Sequence, residues 1–429
     1  MNSKGAADQE LTTGKFQRRA IQVEEAQSII QQYVKPGSTE VIDLEQADGR
    51  VLAADLFAPH PYPAFRRSRM DGYAIVSSDT VGCSHGQSVW FKVIDNIPCG
   101  TVSDQLITSG TAARIMTGAQ VPEGADAVVM LEMTEDHFED GVHWICVKKV
   151  IEAELNITPL GYELHTGDLI LEHGTRMGPG EISVLATFGV HNIEVYKRPV
   201  VGIFSTGSEL LDIREPLQPG KIRNSNTYML ASLLQEAGAE AVILNAIPDD
   251  LALAWQKVEE ALDRCDIVVS TGGVSVGDHD IMGDLVRSGW VKMLFNKVSM
   301  RPGSVTTAAV KNEKLLFALS GNPGACFVGF LLFVRPTLRQ MFGMKEPYLK
   351  EWIAELGMDD HKVDHFTRYI RGTLEVIDGK VMVRPAFLDH SGVMITIKDS
   401  SCLIVIPPEL RGARAGQKVK VLLLPGTLS

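Results

Sequence analysis

The chain of 429 residues has few cysteines, and they form no recognisable disulfide or metal-binding pattern. The six cysteines are Cys83, Cys99, Cys146, Cys265, Cys326 and Cys402. Their spacings are irregular and no CxxC pair occurs. Disulfide frameworks and zinc sites depend on paired cysteines, so the sequence argues against both and predicts reduced thiols.

The chain also lacks a long apolar segment and an excess of basic residues. The longest apolar run, residues 325–334, is too short to cross a bilayer, and we interpret it as a buried helix. The first 19 residues are polar and show no signal peptide, which predicts a cytoplasmic protein. Lys and Arg number 41 against 53 Asp and Glu, a formal net charge of −12, which argues against a broad nucleic-acid surface. An anionic ligand therefore needs a local basic patch or a metal ion.

The most informative stretch is DIVVSTGGVSVGDHD, residues 266–280. An apolar, β-branched run ends at residues 270–273, a further glycine follows at Gly277, and a helical pattern begins after Asp280. This order predicts a buried parallel strand that leads through a glycine-rich turn to a helix N-terminus, where a phosphate or oxyanion can bind. Asp280 could hold Mg²⁺ beside it through hard oxygen ligands. A tight turn without a ligand is the alternative for this motif alone.

Hydrophobic periodicity predicts a multidomain, elongated chain of class α/β plus β. From Val200 onward, strand and helix patterns alternate, which predicts a doubly wound, mostly parallel α/β domain. Short β-like runs before it predict a β-rich inserted lobe with an acidic turn at residues 135–141, and the runs after it predict a small barrel-like domain. The expected domains are a disordered extension (1–19), a discontinuous linker domain (20–58 and 150–195), the inserted lobe (59–149), the α/β domain (196–345) and the C-terminal β domain (346–429).

Ligands of a doubly wound sheet bind outside the carboxyl ends of its strands. The turns at these predicted ends are residues 205–209 (STGSE), 248–250 (PDD), 271–280 (TGGVSVGDHD) and 320–323 (SGNP). Together they supply hydroxyls, backbone donors and carboxylates, which favours a site for an anion and a divalent metal ion, although each turn alone could serve only to cap a helix. Lys297 and Arg301 could neutralise the anion, with an ordinary solvated face as an equal alternative.

Two further motifs precede the α/β domain. The segment FRRSRMDGYA, residues 65–74, places three arginines around Ser68 and contains the turn signal Asp71-Gly72. In RIMTGAQVPEGADAVVMLE, residues 114–132, Thr117 could donate to a ligand. A surface turn and a strand-connecting loop are the respective alternatives, so residue chemistry alone assigns neither motif a function.

In order and spacing, these motifs resemble those of the molybdopterin molybdenumtransferase family, known as MoeA in bacteria and as the gephyrin E domain in animals. The resemblance runs from about residue 22 to the C-terminus and rests on MDGYA, MTGAQVPEGADAVV, STGSEL, STGGVSVGDHD and LSGNPGA. It implies a homodimer whose active cleft lies between the α/β domain of one subunit and the β-rich lobe of its partner. It also implies the reaction, in which molybdenum from molybdate enters adenylylated molybdopterin with Mg²⁺-dependent release of AMP.

The resemblance assigns functions to residues motif by motif. The residues expected to act in catalysis are Asp71, Thr117, Glu209, Asp249, Asp280, Lys297 and Arg301. Those expected to bind the substrate are Glu163, Gly272, Gly273, Ser275, Gly277, Asn322, Pro323 and Ser391. Glu209, Asp249 and Asp280 are the expected metal ligands, and Asp71 and Thr117 are expected to reach the cleft from the partner subunit.

Six positions depart from the family's usual motifs. Thr158 stands where the family often has arginine, and Glu163 replaces an aspartate in the same motif. The family's KPGKP is RPGSV here, with Arg301 and Ser304 in place of the two lysines and Val305 in place of the last proline. One positive charge is lost at Ser304, and Ser320 replaces the first proline of PGNP. We favour a branch variant with the same reaction, since all the acids of the α/β site remain. A shift toward tungstate and a weakened paralogue are the alternatives.

Two other functions fit part of the sequence. The GGVSVG turn also fits molybdopterin adenylyltransferases, which would require ATP. A non-catalytic scaffold or carrier of the cofactor, like gephyrin at synapses, is the second alternative, although no additional partner-binding segment supports it. Molybdopterin adenylyltransferase and apo-molybdoenzymes are the expected protein partners, and neither nucleic acid nor membrane is expected.

Overall fold

The structure is a computed structural model that describes residues 19–85, 87–244, 251–272, 289–408 and 412–427. Nearly all of the predicted disordered extension therefore lies outside the described residues. The chain forms two compact units. The first contains the described residues up to Ala54, His173–Gly178, and the described residues from Asn192 onward; the second contains Asp55–Glu172 and Pro179–His191. The finer division into five domains stays a prediction.

A six-stranded sheet forms the centre of the first unit. In order across the sheet its strands are Glu240–Ile243, Val200–Ser205, Ile267–Thr271, Lys314–Leu319, Thr307–Lys311 and Lys292–Phe295. The first four strands are parallel, and the last two run antiparallel to their neighbours. This sheet confirms the predicted mostly parallel α/β domain.

Helices cover both faces of the central sheet. Ile267 and Val269 pack in one apolar core with the helix Ser225–Glu236. Val268, between them, packs in a second core with the helix Leu251–Arg264 on the opposite face. Burial on both faces explains why the strand reads as a continuous apolar run. Among the described residues, the other helical segments of this unit are Val23–Gln31, Leu44–Gln46, Pro323–Gly329, Phe330–Val334 and Arg335–Met341.

Five C-terminal strands close into a barrel. In order around the ring they are Thr367–Ile377, Lys380–Pro385, Glu351–Leu356, Lys418–Leu423 and Cys402–Ile406, and the last pairs again with the first. Closure leaves the barrel without a free sheet edge and confirms the barrel-like prediction. The short strand Met300–Arg301 pairs in parallel with Thr367 and Arg368, which joins the barrel to the α/β part. Two small pairs complete the unit: Thr39–Asp43 with Asn192–Tyr196, and Leu210–Leu211 with Ile222–Arg223.

The second unit is built on another six-stranded sheet. Its strands in order are Ala127–Met130, Gly72–Ile75, Thr111–Ile115, Val89–Ile97, Val142–Val147 and Thr134–Glu139. Tyr73 and Ile75 lie in one apolar core and Ala74 in another, so this sheet is also buried on both faces. The remaining elements are Leu56–Phe57 paired with Leu169–Leu171, Arg67–Ser68 paired with Ile157–Thr158, Ser77–His85, Leu131–Met133 and Pro179–Thr187.

The predicted acidic turn at residues 135–141 is wrong. Thr134–Glu139 is a strand at the edge of the sheet, and the turn consists of Asp140 and Gly141, which both have positive φ. Charged side chains on an exposed edge strand discourage pairing with other chains, so acidity here reflects the edge position and not a loop. In the described part of the chain, no helix is both long and apolar enough to cross a membrane.

Gly72 is expected to be irreplaceable in the second unit. A Cβ there would lie 2.0 Å from the carbonyl oxygen of Val129 on the adjacent strand, so the two strands would have to separate. We expect Gly72→Ala to lower the free energy of unfolding by about 1–3 kcal/mol or more, measured by thermal denaturation. Gly180→Ala is the matched control, because a Cβ at this helical glycine meets no atom within 4 Å. Equal loss of stability in both variants would contradict the prediction.

Candidate functional site

The parallel strands of the central sheet end level with one another. Ser205 pairs with Thr271, and Thr271 pairs with Leu319, so the turns after these residues meet at one edge. Backbone hydrogen bonds join the turns to each other. Thr206 N–H donates to the carbonyl oxygen of Thr271 (3.0 Å), and Gly272 N–H donates to that of Leu319 (3.1 Å). The described parts of three predicted turns, residues 205–209, 271–272 and 320–323, therefore lie at this edge, and residues 248–250 and 273–280 lie outside the described residues.

Gly272 occupies the tightest point of this edge. Its φ is +88°, and a Cβ would lie 2.5 Å from the carbonyl oxygen of Thr206. Only glycine permits both the left-handed backbone and this close approach. The structure thus gives a steric reason for the first glycine of the STGG motif.

Asn226 joins the turns from the side of the helix Ser225–Glu236. Its Nδ2 donates to Oγ1 of Thr271 (2.8 Å) and to the carbonyl oxygen of Gly321 (2.8 Å). Asn224 caps the same helix through its side-chain oxygen. Asn226 is buried, so these bonds hold two turns that lie about 50 residues apart in the sequence in a fixed relation.

A first cavity of about 460 Å³ opens at this edge of the sheet. The predicted site residues that line it are Glu209, Gly272, Asn322 and Pro323. Thr206 Oγ1 and Asn226 Oδ1 also belong to its lining residues, and each is buried without a hydrogen-bond partner among the described residues. Buried polar atoms normally have partners, so these two atoms indicate where a ligand can bind. Glu209 is exposed, which leaves its carboxylate accessible.

A second cavity, of about 390 Å³, lies beside the first. The two share Val305, Ser320 and Asn322 in their walls. The lining of the second cavity has an excess of positive charge, because three cationic side chains (Arg301, Lys362 and Arg368) and one carboxylate (Asp389) line it. Ser304 and Ser391 add hydroxyl groups to its wall.

The two arginines of the second cavity are held by neighbouring groups. Nη1 of Arg368, which is only 8% exposed, donates to Oδ2 of Asp360 (2.6 Å) and to the carbonyl oxygen of Lys362 (2.9 Å). Arg301 donates from Nη1 to Oγ of Ser304 (2.6 Å), and its guanidinium lies 5.0 Å from the ring centre of Phe366. No carboxylate in the described residues lies within ion-pair distance of the Lys362 ammonium. This lysine is therefore the least neutralised cation of the cavity.

Asp71 and Thr117 contact each other in the second unit. Oδ1 of Asp71 accepts hydrogen bonds from the backbone N–H (2.6 Å) and Oγ1 (2.8 Å) of Thr117. These bonds, first the one from the backbone, lower the pKa of the Asp71 carboxyl below its ordinary value. Both residues are exposed, so an ionised carboxylate and a hydroxyl are presented at the surface of this unit.

The three arginines around Ser68 are bound within the second unit. Arg66 donates to the carbonyl oxygen of Ala125 and to Glu154. Arg67 donates to Oε1 of Glu163 (3.3 Å), and Arg69 donates to Oγ1 of Thr158 (3.2 Å). Thr158 and Glu163, two of the departures from the family motifs, therefore hold this arginine segment.

Two further departures, Ser304 and Ser320, have partners in the first unit. Ser304 accepts from Arg301, as described above. Ser320 Oγ accepts from the backbone N–H of Asn322 (3.3 Å), and its carbonyl oxygen accepts from Oγ1 of Thr271 (3.1 Å). These four substituted side chains are thus part of local hydrogen-bond networks.

Several predicted site residues are not brought together by the structure. Lys297 is half-buried and lines neither cavity, and its carbonyl oxygen accepts from the backbone N–H of Ile21. Asp71, Thr117 and Glu163 belong to the second unit. The predicted residues that lie outside the described part of the chain are Asp249, Gly273, Ser275, Gly277 and Asp280. Within the described residues, no three His, Cys, Asp or Glu side chains form a metal-binding group, and Glu209 alone of the three predicted metal ligands is described.

Lys362, Arg368 and Asn226 are site residues that the sequence analysis did not identify. Arg368 had a usable signal, because it interrupts an apolar strand, and a charge in such a run generally has a buried partner. Asn226 had no such signal in the sequence, since polar residues are common in the first turn of a helix.

Three family models match the chain. The model described as "MoeA N-terminal region (domain I and II)" matches residues 21–189. "Probable molybdopterin binding domain" matches residues 202–340, and "MoeA C-terminal region (domain IV)" matches residues 354–424. The matches thus cover most of the described chain in both units.

Relatives of known name match almost the full length. The chain is 43% identical over 407 residues to the molybdopterin molybdenumtransferase of Bacillus subtilis (strain 168), covering 95% of each chain. It is 43% identical over 411 residues to the protein of the same name from Staphylococcus aureus (strain MRSA252), covering 95% of this chain and 96% of that one. Among solved structures, it is similar to a molybdopterin biosynthesis moeA protein from Pyrococcus horikoshii OT3, with a TM-score of 0.82 and 29% identity, covering 95% of this chain and 100% of that one.

The pKa of the Asp71 carboxyl is expected to depend on both hydrogen bonds that it accepts from Thr117. Because its folded-state pKa is lowered, its contact with Thr117 stabilises the protein above the unfolded pKa, and this stability is lost as the pH falls through the folded pKa. Thr117→Val removes the hydroxyl donor but keeps the backbone donor, so the pKa of Asp71 should rise only part of the way to its ordinary value. NMR titration of the carboxyl measures this, with Thr101→Val as a control in the same unit. An unchanged Asp71 pKa in Thr117→Val would contradict the assignment.

Proposed function

Because the chain belongs to the molybdopterin molybdenumtransferase family, we propose that it inserts molybdenum from molybdate into adenylylated molybdopterin, with Mg²⁺-dependent release of AMP. The chain is accordingly an enzyme of molybdenum cofactor biosynthesis. The observation that carries the detailed proposal is the pair of adjoining cavities that share Val305, Ser320 and Asn322. Two ligands that react with each other require neighbouring sites, and these two cavities adjoin through a shared wall.

The first cavity suits the adenylylated pterin. Thr206 Oγ1 can donate to a phosphate oxygen, and Asn226 Oδ1 can accept from an N–H group of a pterin ring. Gly272 has no side chain to block the backbone at the same edge, so N–H groups there can approach a phosphate. Gly273, Ser275 and Gly277 continue this turn in the sequence and remain the predicted phosphate cradle.

The second cavity suits molybdate, which is a tetrahedral dianion. Arg301, Lys362 and Arg368 supply positive charge, while Ser304 and Ser391 supply hydroxyl donors. A guanidinium has five N–H donors, so Arg368 retains donors beyond Nη1, which Asp360 occupies. In a protein with a net charge of −12, such a local cluster is needed to bind a dianion.

Glu209 fits the expected magnesium ion as far as the described residues extend. Its carboxylate is exposed at the first cavity, and carboxylate oxygens are the ligands Mg²⁺ prefers. Asp249 and Asp280 are the other proposed ligands. When bound, Mg²⁺ would act as a Lewis acid on the phosphate oxygens.

The catalytic contribution of the chain is electrostatic positioning. Arg301, Lys362 and Arg368 offset the negative charge that accumulates as a dianion approaches a phosphorylated ligand. Lys297 stays a predicted anion-binding residue. No covalent nucleophile is required, because the chain brings two ligands together and stabilises charge.

We also propose a homodimer with a shared active cleft, in the cytoplasm. Asp71 and Thr117 would then act on the ligands bound to the partner subunit. An adenylyltransferase would supply the activated pterin, and apo-molybdoenzymes would receive the product.

Single-turnover release of AMP tests the reaction. We expect AMP release from adenylylated molybdopterin to require Mg²⁺ and molybdate, and the product to reactivate a cofactor-free molybdoenzyme. In Lys362→Ala, the molybdate concentration needed for half-maximal release should rise roughly five- to tenfold, because one lost charge at the cavity is worth about 1 kcal/mol or somewhat more. Comparing AMP release with tungstate and with molybdate shows which of the two metals the enzyme prefers.

Lys380→Ala is the matched control for this variant. Lys380 also lies in the barrel, where it pairs with Glu355 and lines neither cavity, so its loss should leave the molybdate requirement unchanged. A requirement for ATP would instead identify an adenylyltransferase. Tight pterin binding without AMP release would favour the carrier function.

Mixed dimers test the shared cleft. We expect Asp280→Ala and Asp71→Asn each to abolish or strongly reduce AMP release while the fold survives. Co-expression of the two variants should restore roughly a quarter of the activity, because half of the dimers are mixed and each mixed dimer has one intact cleft. Asp71→Asn mixed with Thr117→Val should give no more activity than the average of the two separate variants, since both changes lie in the lobe. A monomer mass in light scattering, or no restoration in the first mixture, would refute the shared cleft.

A further inference from the structure

Arg371 is a buried arginine that lies outside both cavities. It is 1% exposed and belongs to the barrel strand Thr367–Ile377. A buried guanidinium is unfavourable unless it is paired and hydrogen-bonded. The hydrogen-bond partners of Arg371 therefore indicate the structural function of this buried side chain.

All three side-chain nitrogens of Arg371 donate to one connecting segment. Nε donates to Oδ1 of Asp389 (3.0 Å), Nη2 to the carbonyl oxygen of His390 (3.1 Å), and Nη1 to that of Val393 (2.5 Å). The segment is residues 386–401, the connection between two barrel strands, and it contains no helix or strand. Connections of this length usually carry a function, and they need local contacts to hold one conformation.

Three large apolar side chains of this connecting segment are exposed: Phe387 is 82% exposed, Met394 51% and Ile395 53%. Ile397, near its end, packs against an apolar core. Hydrogen bonds therefore contribute to holding the earlier part of the segment, and the guanidinium of Arg371 supplies three of them from inside the barrel. The planar guanidinium can donate to three acceptors at different positions, whereas a lysine ammonium group is a compact point charge that cannot reach all three.

The opposite side of the connecting segment meets the wall shared by the two cavities. The carbonyl oxygen of Ser391 accepts from the backbone N–H groups of Gly324 (2.8 Å) and Ala325 (3.3 Å). Oγ of Ser391 accepts from Nδ2 of Asn322 (3.3 Å). A Cβ at Gly324 would lie 3.0 Å from the Ser391 oxygen and 3.1 Å from Nη1 of Arg371, so these groups pack without spare space.

We propose that Arg371 is a positioning residue for the second cavity. It fixes the connecting segment so that Ser391 stands in the cavity wall and engages Asn322, the residue between the two cavities. Arg371 thereby sets the affinity for molybdate without contacting it. This inference rests on the proposed binding of molybdate in the second cavity.

Steady-state kinetics of Arg371→Lys test the proposal, because this variant keeps the positive charge and loses the fork. We expect the KM for molybdate to rise about 10- to 100-fold, as is typical of a small displacement in a binding site, and the KM for the pterin to change by less than about threefold. Val383→Ala is the control: Val383 is fully buried in the barrel core, and its truncation should lower stability without removing any of the hydrogen bonds that hold Ser391. Its molybdate KM should equal that of the wild type at a comparable loss of thermal stability.

A double-mutant cycle with Ser391→Ala separates positioning from general stability. If Arg371 acts through Ser391, the molybdate KM of the double variant should not exceed that of Arg371→Lys alone. Gly324→Ala perturbs the contact between Arg371 and the connecting segment from the opposite side. This variant replaces Arg371→Lys if Arg371→Lys does not fold. It should also raise the molybdate KM more than the KM for the pterin.

Three results would overturn the positioning role. The molybdate KM of Arg371→Lys, or of Gly324→Ala in its place, could be unchanged, or the molybdate KM of Val383→Ala could rise equally. The third is a molybdate KM of the double variant that equals the product of the separate effects of Arg371→Lys and Ser391→Ala. Failure of the proposed function gives a different result. In that case the wild-type protein itself shows no molybdate-dependent release of AMP.

Discussion

The parallel hydrogen-bond ladder through Val200–Ser205, Ile267–Thr271 and Lys314–Leu319 is the constraint on which the candidate site depends. Its register ends the three strands at the same level, so their polar turns must meet. The register is itself fixed by packing, because alternate residues of each strand face two different apolar cores. A slip by one residue would exchange the two faces and is therefore strongly disfavoured. Helices cover both faces, which leaves the edge as the place where ligands can reach the sheet.

The second cavity shows how an acidic protein can concentrate positive charge locally. Arg301 comes from the α/β part, while Lys362 and Arg368 come from the barrel. The parallel pairing of Met300–Arg301 with the barrel strand brings these segments together. Each arginine has an acidic neighbour, Asp364 for Arg301 and Asp360 for Arg368, which orients the guanidinium and offsets part of its charge. The cavity is thus a feature of the junction, and neither part of the chain could form it alone.

The departures from the family motifs are integrated into the structure. Thr158 and Glu163 bind Arg69 and Arg67, Ser304 binds Arg301, and Ser320 accepts hydrogen bonds within the edge turns. A side chain that had lost its function would not be expected to keep a specific partner in every case. These contacts agree with the interpretation of a branch variant that carries out the same reaction.

The sequence by itself determined the fold class, because alternation of apolar runs with helical periodicity and turn residues is encoded locally. It also located the turns that carry Glu209, Gly272 and Asn322, since each follows an apolar strand. The prediction of a turn at residues 135–141 was wrong, because charged residues are common in edge strands as well as in turns. Only the tertiary structure revealed Asn226, Lys362, Arg368 and Arg371, which contact groups from other parts of the fold. Such contacts depend on how strands and loops pack in space, and no local period or spacing in the sequence records that arrangement.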